Sequence, residues 1–227
     1  MIVAIHQPQF LPWLGYFDKI IQADVFCYLD NVQYKKNEWQ NRNRIKTANG
    51  FQWLTVPVRY RFPQKINEVE INNRINWKRK HLQALVTNYR KAPYFKEYIE
   101  IFEQINFRDW HWIYELNIYI IEKMMEVLDL KQKTTVLASE LDLSDDPTGR
   151  LIDICKAVGG GTYFSGESGA DYMNLERFRE REINLVFQEF NHPEYPQLFG
   201  RFKSHMSIVD LLFNCGPESL RRLRGMK

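Results

Sequence analysis

Three polar groups stand where an apolar segment ends: His6, Gln7 and Gln9, in MIVAIHQPQFLPWLGYFDKI. An imidazole with an ordinary pKa near 6.5 can move a proton or meet a substrate oxygen, and two carboxamides can fix polar atoms of a ligand. Pro8 and Pro12 fix backbone angles on either side, which favours a preorganised site over a mobile tip. A structural histidine that merely fixes the turn is the competing reading, and Trp13 reads first as an apolar cover over the following helix. A second polar cluster is DNVQYKKNEWQNRNRIK, residues 30–46. Its Arg42, Arg44 and lysines suit phosphate or carboxylate, and Asn41 and Asn43 suit a sugar hydroxyl or an amide. Trp39 and Tyr34 among those charges favour a binding loop over a merely solvated one. Ser165 closes the run TYFS, with Glu167, Ser168 and Asp171 after it as groups able to hold hydroxyls or an amine. No GxSxG elbow surrounds Ser165, so it is not read as a nucleophile. The glycine-rich stretch 159–173 matches neither phosphate-loop pattern, and His192 and His205 lack metal-ligand spacing.

The elements that must position these groups follow from apolar patterning. IVAI at 2–5 reads as a buried strand, and Leu14, Phe17 and Ile20 recur at helical spacing before a second strand, VFCYL, at 25–29. Strand, helix and strand within thirty residues make a βαβ unit with a parallel pair, whose first turn is where open α/β sheets bind ligands. WLTVPV (53–58), TYFSG (162–166) and INLVFQEF (183–190) read as further strands. Residues 1–60 and 148–190 are therefore expected in one largely parallel sheet. The stretch 77–130 is helical and divided at Pro93, with Ile113, Leu116, Ile120, Met124 and Val127 on one stripe. Residues 134–145 read as a polar connector holding a Thr-Val-Leu run, and Asp146-Pro147 as the start of a helix ended by Gly159-Gly160-Gly161. Ser207 with Asp210 reads as a helix N-cap with a first-turn acid. The expectation is a single α/β domain over 1–227, Rossmann-like, with 77–130 as a helical insertion. The turn at 6–13, the loop at 33–46 and the loop at 165–172 are expected to converge on one pocket.

Composition narrows the classes. With 227 residues, 44% hydrophobic and 26% charged, the chain can bury a sizeable core. Net charge is only +3, so no global field points to nucleic acid or an anionic membrane. Cys27, Cys155 and Cys215 are three, without CxxC spacing, which argues against a disulfide framework and fits a cytoplasmic protein. No run approaches a membrane span, and the apolar start is broken by His6 and Gln7, unlike a signal peptide.

The opening HQPxxLPWLGYFxK, the WxNRNRIK of Trp39–Lys46, TYFSG with Tyr172, and the tail EYPQLFGRF…SIVDLLFNCG together resemble the WbqC-like protein family. The likeness covers nearly the whole chain. It implies a bacterial protein of O-antigen or other surface-polysaccharide biosynthesis. The task it implies is a transferase reaction on an amino sugar, N-acylation or aminoacylation of a nucleotide sugar. It names no cofactor. On the matched positions, His6 is the catalytic candidate, and Gln7, Gln9, Trp39, Asn41, Arg42, Asn43, Ser165 and Tyr172 are substrate-binding candidates. The first turn also resembles the histidine turn of HIGH-type nucleotidyltransferases and adenylate-forming enzymes, without their second histidine. A third reading is a non-catalytic member of a polysaccharide assembly.

Overall fold

The computed structural model describes residues 1–171 and 173–226. Its centre is a five-stranded sheet of β1 (Ile2–His6), β2 (Val25–Tyr28), β7 (Thr134–Leu137), β8 (Thr162–Ser165) and β9 (Asn184–Phe187), in the order β7-β2-β1-β8-β9. Every pairing in it is parallel. The Rossmann-like α/β expectation therefore holds, with strand order 3-2-1-4-5. One expected strand lies elsewhere. The segment around Trp53 belongs to β4 (Gly50–Thr55), which pairs antiparallel with β3 (Arg42–Thr47) in a separate hairpin. The neighbouring β5 (Val58–Arg59) and β6 (Glu70–Ile71) pair antiparallel with each other, and Glu70 also forms a single antiparallel bridge with Trp112. The sheet's outer strand is instead the Thr-Val-Leu run of the 134–145 connector. Its edge position explains the weak apolar signal: Thr134 is exposed and the next three residues are only half-buried.

Side chains alternate between two cores, as a pleated strand requires. Ala4, Phe26, Tyr28 and Phe164 face one, Val3, Ile5, Cys27 and Tyr163 the other. Right-handed crossovers decide which helices cover which face. The chain moves one way along the sheet from β1 to β2 to β7, so α1 (Leu14–Gln22) and the long excursion between β2 and β7 share the first face. That excursion contains the hairpin, α2 (Trp77–Tyr89), α3 (Phe95–Phe107) and α4 (Ile113–Val127). The chain then moves the other way to β8 and β9, so α5 (Pro147–Ala157) and α6 (Leu175–Glu180) cover the second face. Two last helices, α7 (Ile208–Cys215) and α8 (Ser219–Leu223), return to the first core.

The local signals operate as read. Asp146 caps α5 by accepting from Gly149 N–H at 2.6 Å, with Pro147 as first helical residue. Pro93 lies between α2 and α3. Ser207 caps α7, its hydroxyl accepting from Val209 N–H at 3.3 Å. Asp210 in that first turn is wholly buried, where an ordinary first-turn acid faces water.

Candidate functional site

The sheet's connectivity reverses between β1 and β8, which makes their carboxyl ends a topological switch point. A cleft opens there. One half, of about 380 Å³, is lined by His6, Gln7, Lys35, Arg150, Gly166 and Ser168 among others. The adjoining half, of about 650 Å³, is lined by Trp13, Tyr16, Glu167, Asp171, Phe190 and His205 among others. His6, Lys19, Gly166 and Ser168 border both halves. Each volume is within the range of small-molecule sites, and together they accommodate a ligand of two parts.

Position on the strand ends accounts for two of the shared residues. His6 is the last residue of β1, and Gly166 follows the last residue of β8. His6 Nδ1 lies 3.1 Å from the Gln7 carbonyl, which can only accept; in the neutral ring the proton is therefore on Nδ1 and Nε2 is the free acceptor. Tyr16 meets the ring edge-on at 4.9 Å and donates its hydroxyl to the same carbonyl. Burial, aided by the nearby Lys19 charge, lowers the His6 pKa to about 3. With its pKa so lowered, His6 is a neutral acceptor at every physiological pH and no acid.

Lys19 is the group that sequence reading passed over. It sits on α1, only 4% exposed, among apolar neighbours. Its ammonium donates to the Ile5 carbonyl at 3.3 Å, and among the described residues no carboxylate lies within ion-pairing distance. Desolvation lowers its pKa to about 8, leaving it mostly protonated at pH 7. A buried cation without a counter-ion on a cleft floor is a place for an anion. The signal was a lysine set between Phe17 and the apolar pair Ile20-Ile21 in FDKII, where the adjacent Asp18 and amphipathic spacing assign it to solvent.

The two halves differ in charge. Beside Lys19, the first presents Lys35 and Arg150 and, among the described residues, no carboxylate; the second presents Glu167 and Asp171 with the Trp13 and Phe190 rings. Trp13 packs over Gly15, where a Cβ would collide with the indole, and stacks on His205 at 5.2 Å. Its role as a cover and its place on the cleft wall are thus the same placement.

The remaining sequence candidates divide. Gln7 lines the cleft and accepts from Gln40 Nε2 at 2.7 Å, so the 33–46 segment touches the first turn there. Lys35 from the same segment reaches the same half-cleft. Gln9 is buried, and its Oε1 has no partner. The Asn41 amide donates to Val56 O at 3.0 Å. The Asn43 amide donates to Phe10 O and Leu11 O, at 3.2 and 2.8 Å, pinning the opening turn. Ser165 is buried behind the cleft against Gly169, its hydroxyl without a partner. Trp39 and Arg42 lie on the hairpin side, outside both halves. Tyr172 lies outside the described residues.

The model of the WbqC-like protein family matches residues 7–222. The chain belongs to the WbqC-like protein family. Membership associates it with polysaccharide biosynthesis. It is 38% identical to the uncharacterized protein Rv1507c of Mycobacterium tuberculosis, over 98% of this chain and 97% of that one. No solved structure matches it. Among the described residues no helix is long and apolar enough to cross a membrane, and no three His, Cys, Asp or Glu side chains are grouped to hold a metal ion.

Proposed function

We propose that this WbqC-like chain is a transferase that modifies an amino sugar carried on a nucleotide, by N-acylation or aminoacylation. The observation that carries the reading is the division of the switch-point cleft into a cationic half and a carboxylate-and-aromatic half, joined at His6 and Lys19. A nucleotide-linked amino sugar has the complementary division: a diphosphate at one end, and hydroxyls and an amine on a ring at the other. Lys19, Lys35 and Arg150 would meet the diphosphate. Trp13 and Phe190 would pack the sugar ring, and Glu167 and Asp171 would hold its amine and hydroxyls.

In the transfer step the amine nitrogen attacks the donor's acyl carbon, a C–N bond forms, and the bond from that carbon to its carrier breaks. The amine proton passes to His6 Nε2. A bound diphosphate beside Lys19 would neutralise the smaller of the two influences that depress the His6 pKa, the ammonium charge, and its own negative charge would favour the protonated ring.

The test is a pair of measurements on His6→Ala. Binding of a UDP-linked amino sugar should persist with the melting temperature near that of the parent, while turnover with an acyl donor falls by ~10²–10⁴-fold. Full turnover in the folded variant would remove His6 from the chemistry. Stabilisation by ATP and magnesium alone, with none by nucleotide sugars, would favour an adenylate-forming enzyme instead.

A further inference from the structure

Residues 39–67 hold Arg42, Arg44, Lys46, Arg59, Arg61 and Lys65 and not one carboxylate, in a chain whose net charge is only +3. The β3–β4 hairpin gathers part of this charge onto exposed rings. Register pairs Arg44 with Trp53 and Lys46 with Phe51 across the two strands. The Arg42 guanidinium lies 4.3 Å from the Trp53 ring centre, and Arg44 lies 5.1 to 5.6 Å from Phe51, Trp39 and Trp53. Lys203 reaches Phe51 from the segment preceding α7, at 5.4 Å. Phe51 is 42% exposed and Trp53 36%. Among the described residues none of Arg42, Arg44 and Lys203 pairs with a carboxylate, and the Nε atoms of both arginines are buried without a hydrogen-bond partner.

Three cations without counter-ions, set among three indole and phenyl rings, complement one kind of ligand: phosphate attached to a flat aromatic base. The patch is continuous with the cleft. Arg44 Nη2 donates to the His205 carbonyl at 3.2 Å, and His205 stacks on Trp13 in the cleft's carboxylate-and-aromatic half. It therefore adjoins the half assigned to the sugar amine, away from the half assigned to the sugar's own diphosphate.

We propose that this hairpin face is a second subsite, which binds the phosphorylated nucleoside portion of the activated donor. That role rests on the transferase reading above; the binding itself does not. An acyl donor built on a phosphorylated adenosine carrier would seat its carrier on the hairpin and extend its acyl group past His205 toward the amine.

Calorimetric titration of the full chain with adenosine 3′,5′-bisphosphate and with a UDP-linked amino sugar tests it. Both should bind saturably, and neither should displace the other. The double variant Arg42→Gln, Lys203→Gln changes only exposed or half-buried side chains, so its melting temperature should stay near the parent's. It should weaken the bisphosphate at least tenfold and leave the UDP-sugar unchanged; Lys19→Met should do the reverse. Absence of bisphosphate binding, equal binding by the double variant, or one-for-one displacement by the UDP-sugar would overturn the proposal. Loss of the UDP-sugar in the double variant would show that the hairpin serves the sugar nucleotide, and would overturn the donor assignment. Failure of the UDP-sugar to bind at all, with the bisphosphate result intact, would remove the transferase reading while leaving the subsite.

Discussion

Lys19 and His6 are shifted by the same influence. Each has a pKa below its ordinary value because the fold withholds water from its charged form. For His6 the unfolded chain takes up its proton first as pH falls from 6.5, so stability declines between there and about 3. His6→Gln should flatten that part of the stability–pH curve, measured by urea unfolding at several pH values. For Lys19 the window is about 8 to 10.5, where the folded chain has already lost the proton and stability rises with pH. Below 8 both states are charged and the whole burial cost remains. Lys19→Met should therefore raise unfolding free energy at pH 7, by about 3 kcal/mol for a fall from 10.5 to about 8 at 1.36 kcal/mol per pKa unit. The same variant should lose nucleotide-sugar affinity. A variant that is both less stable and fully able to bind would show Lys19 to be structural. A residue that destabilises the empty protein and binds the ligand is what a preorganised anion site requires.

The opening turn is the element that both site and fold depend on, and its rigidity has two sources. Its prolines restrict the backbone, and carboxamides from distant elements tie down its carbonyls. Asn117 on α4, wholly buried, donates to Pro8 O and Gln40 O at 3.1 and 2.8 Å, while Asn43 on β3 holds Phe10 O and Leu11 O. Leu11 needs such anchoring, since its φ of 45° is left-handed for a branched side chain. Asn117→Leu leaves two buried acceptors unpaired and removes one unpartnered oxygen, Oδ1. The net loss should be roughly 1–3 kcal/mol, with weaker nucleotide-sugar binding because the turn carries His6 and Gln7. Unchanged melting and affinity would show that the prolines suffice. The sequence displayed the turn, the βαβ unit and the α5 cap because local chemistry sets each of them. It did not display that Asn43 serves the backbone, because a carboxamide suited to a hydroxyl is equally suited to a carbonyl 32 or 33 residues away along the chain. Nor could the strand around Trp53 be assigned to a hairpin, since apolar patterning says nothing about which partner a strand takes.

At the scale of the whole molecule, the reversal of sheet direction between β1 and β8 explains why one cleft draws on both layers. Lys19 comes from α1 on the first face, and Arg150 and Leu151 come from α5 on the second. No single stretch of sequence contains this site. Its parts lie over a hundred residues apart and meet only because opposite crossovers leave a gap at the strand ends. The sequence showed where β1, β2 and β8 would end to within a residue; the strand order, which decides which ends are neighbours, was not in it. A ligand seated there contacts both cores at once, so its binding energy should appear in global unfolding and not in local ordering alone. At about 100 times its dissociation constant, a ligand confined to the folded state adds ~2.7 kcal/mol. For a domain of this size each kcal/mol moves the midpoint by about 2–4 °C, so a shift of about 5–10 °C is expected. A UDP-linked amino sugar should produce it, the free amino sugar without its nucleotide much less, and Lys19→Met should abolish it. The shift should also shrink as salt rises, because the diphosphate would be met by the cations Lys19, Lys35 and Arg150. A nucleotide sugar that leaves the midpoint unmoved at millimolar concentration would show that the switch-point cleft is not its site.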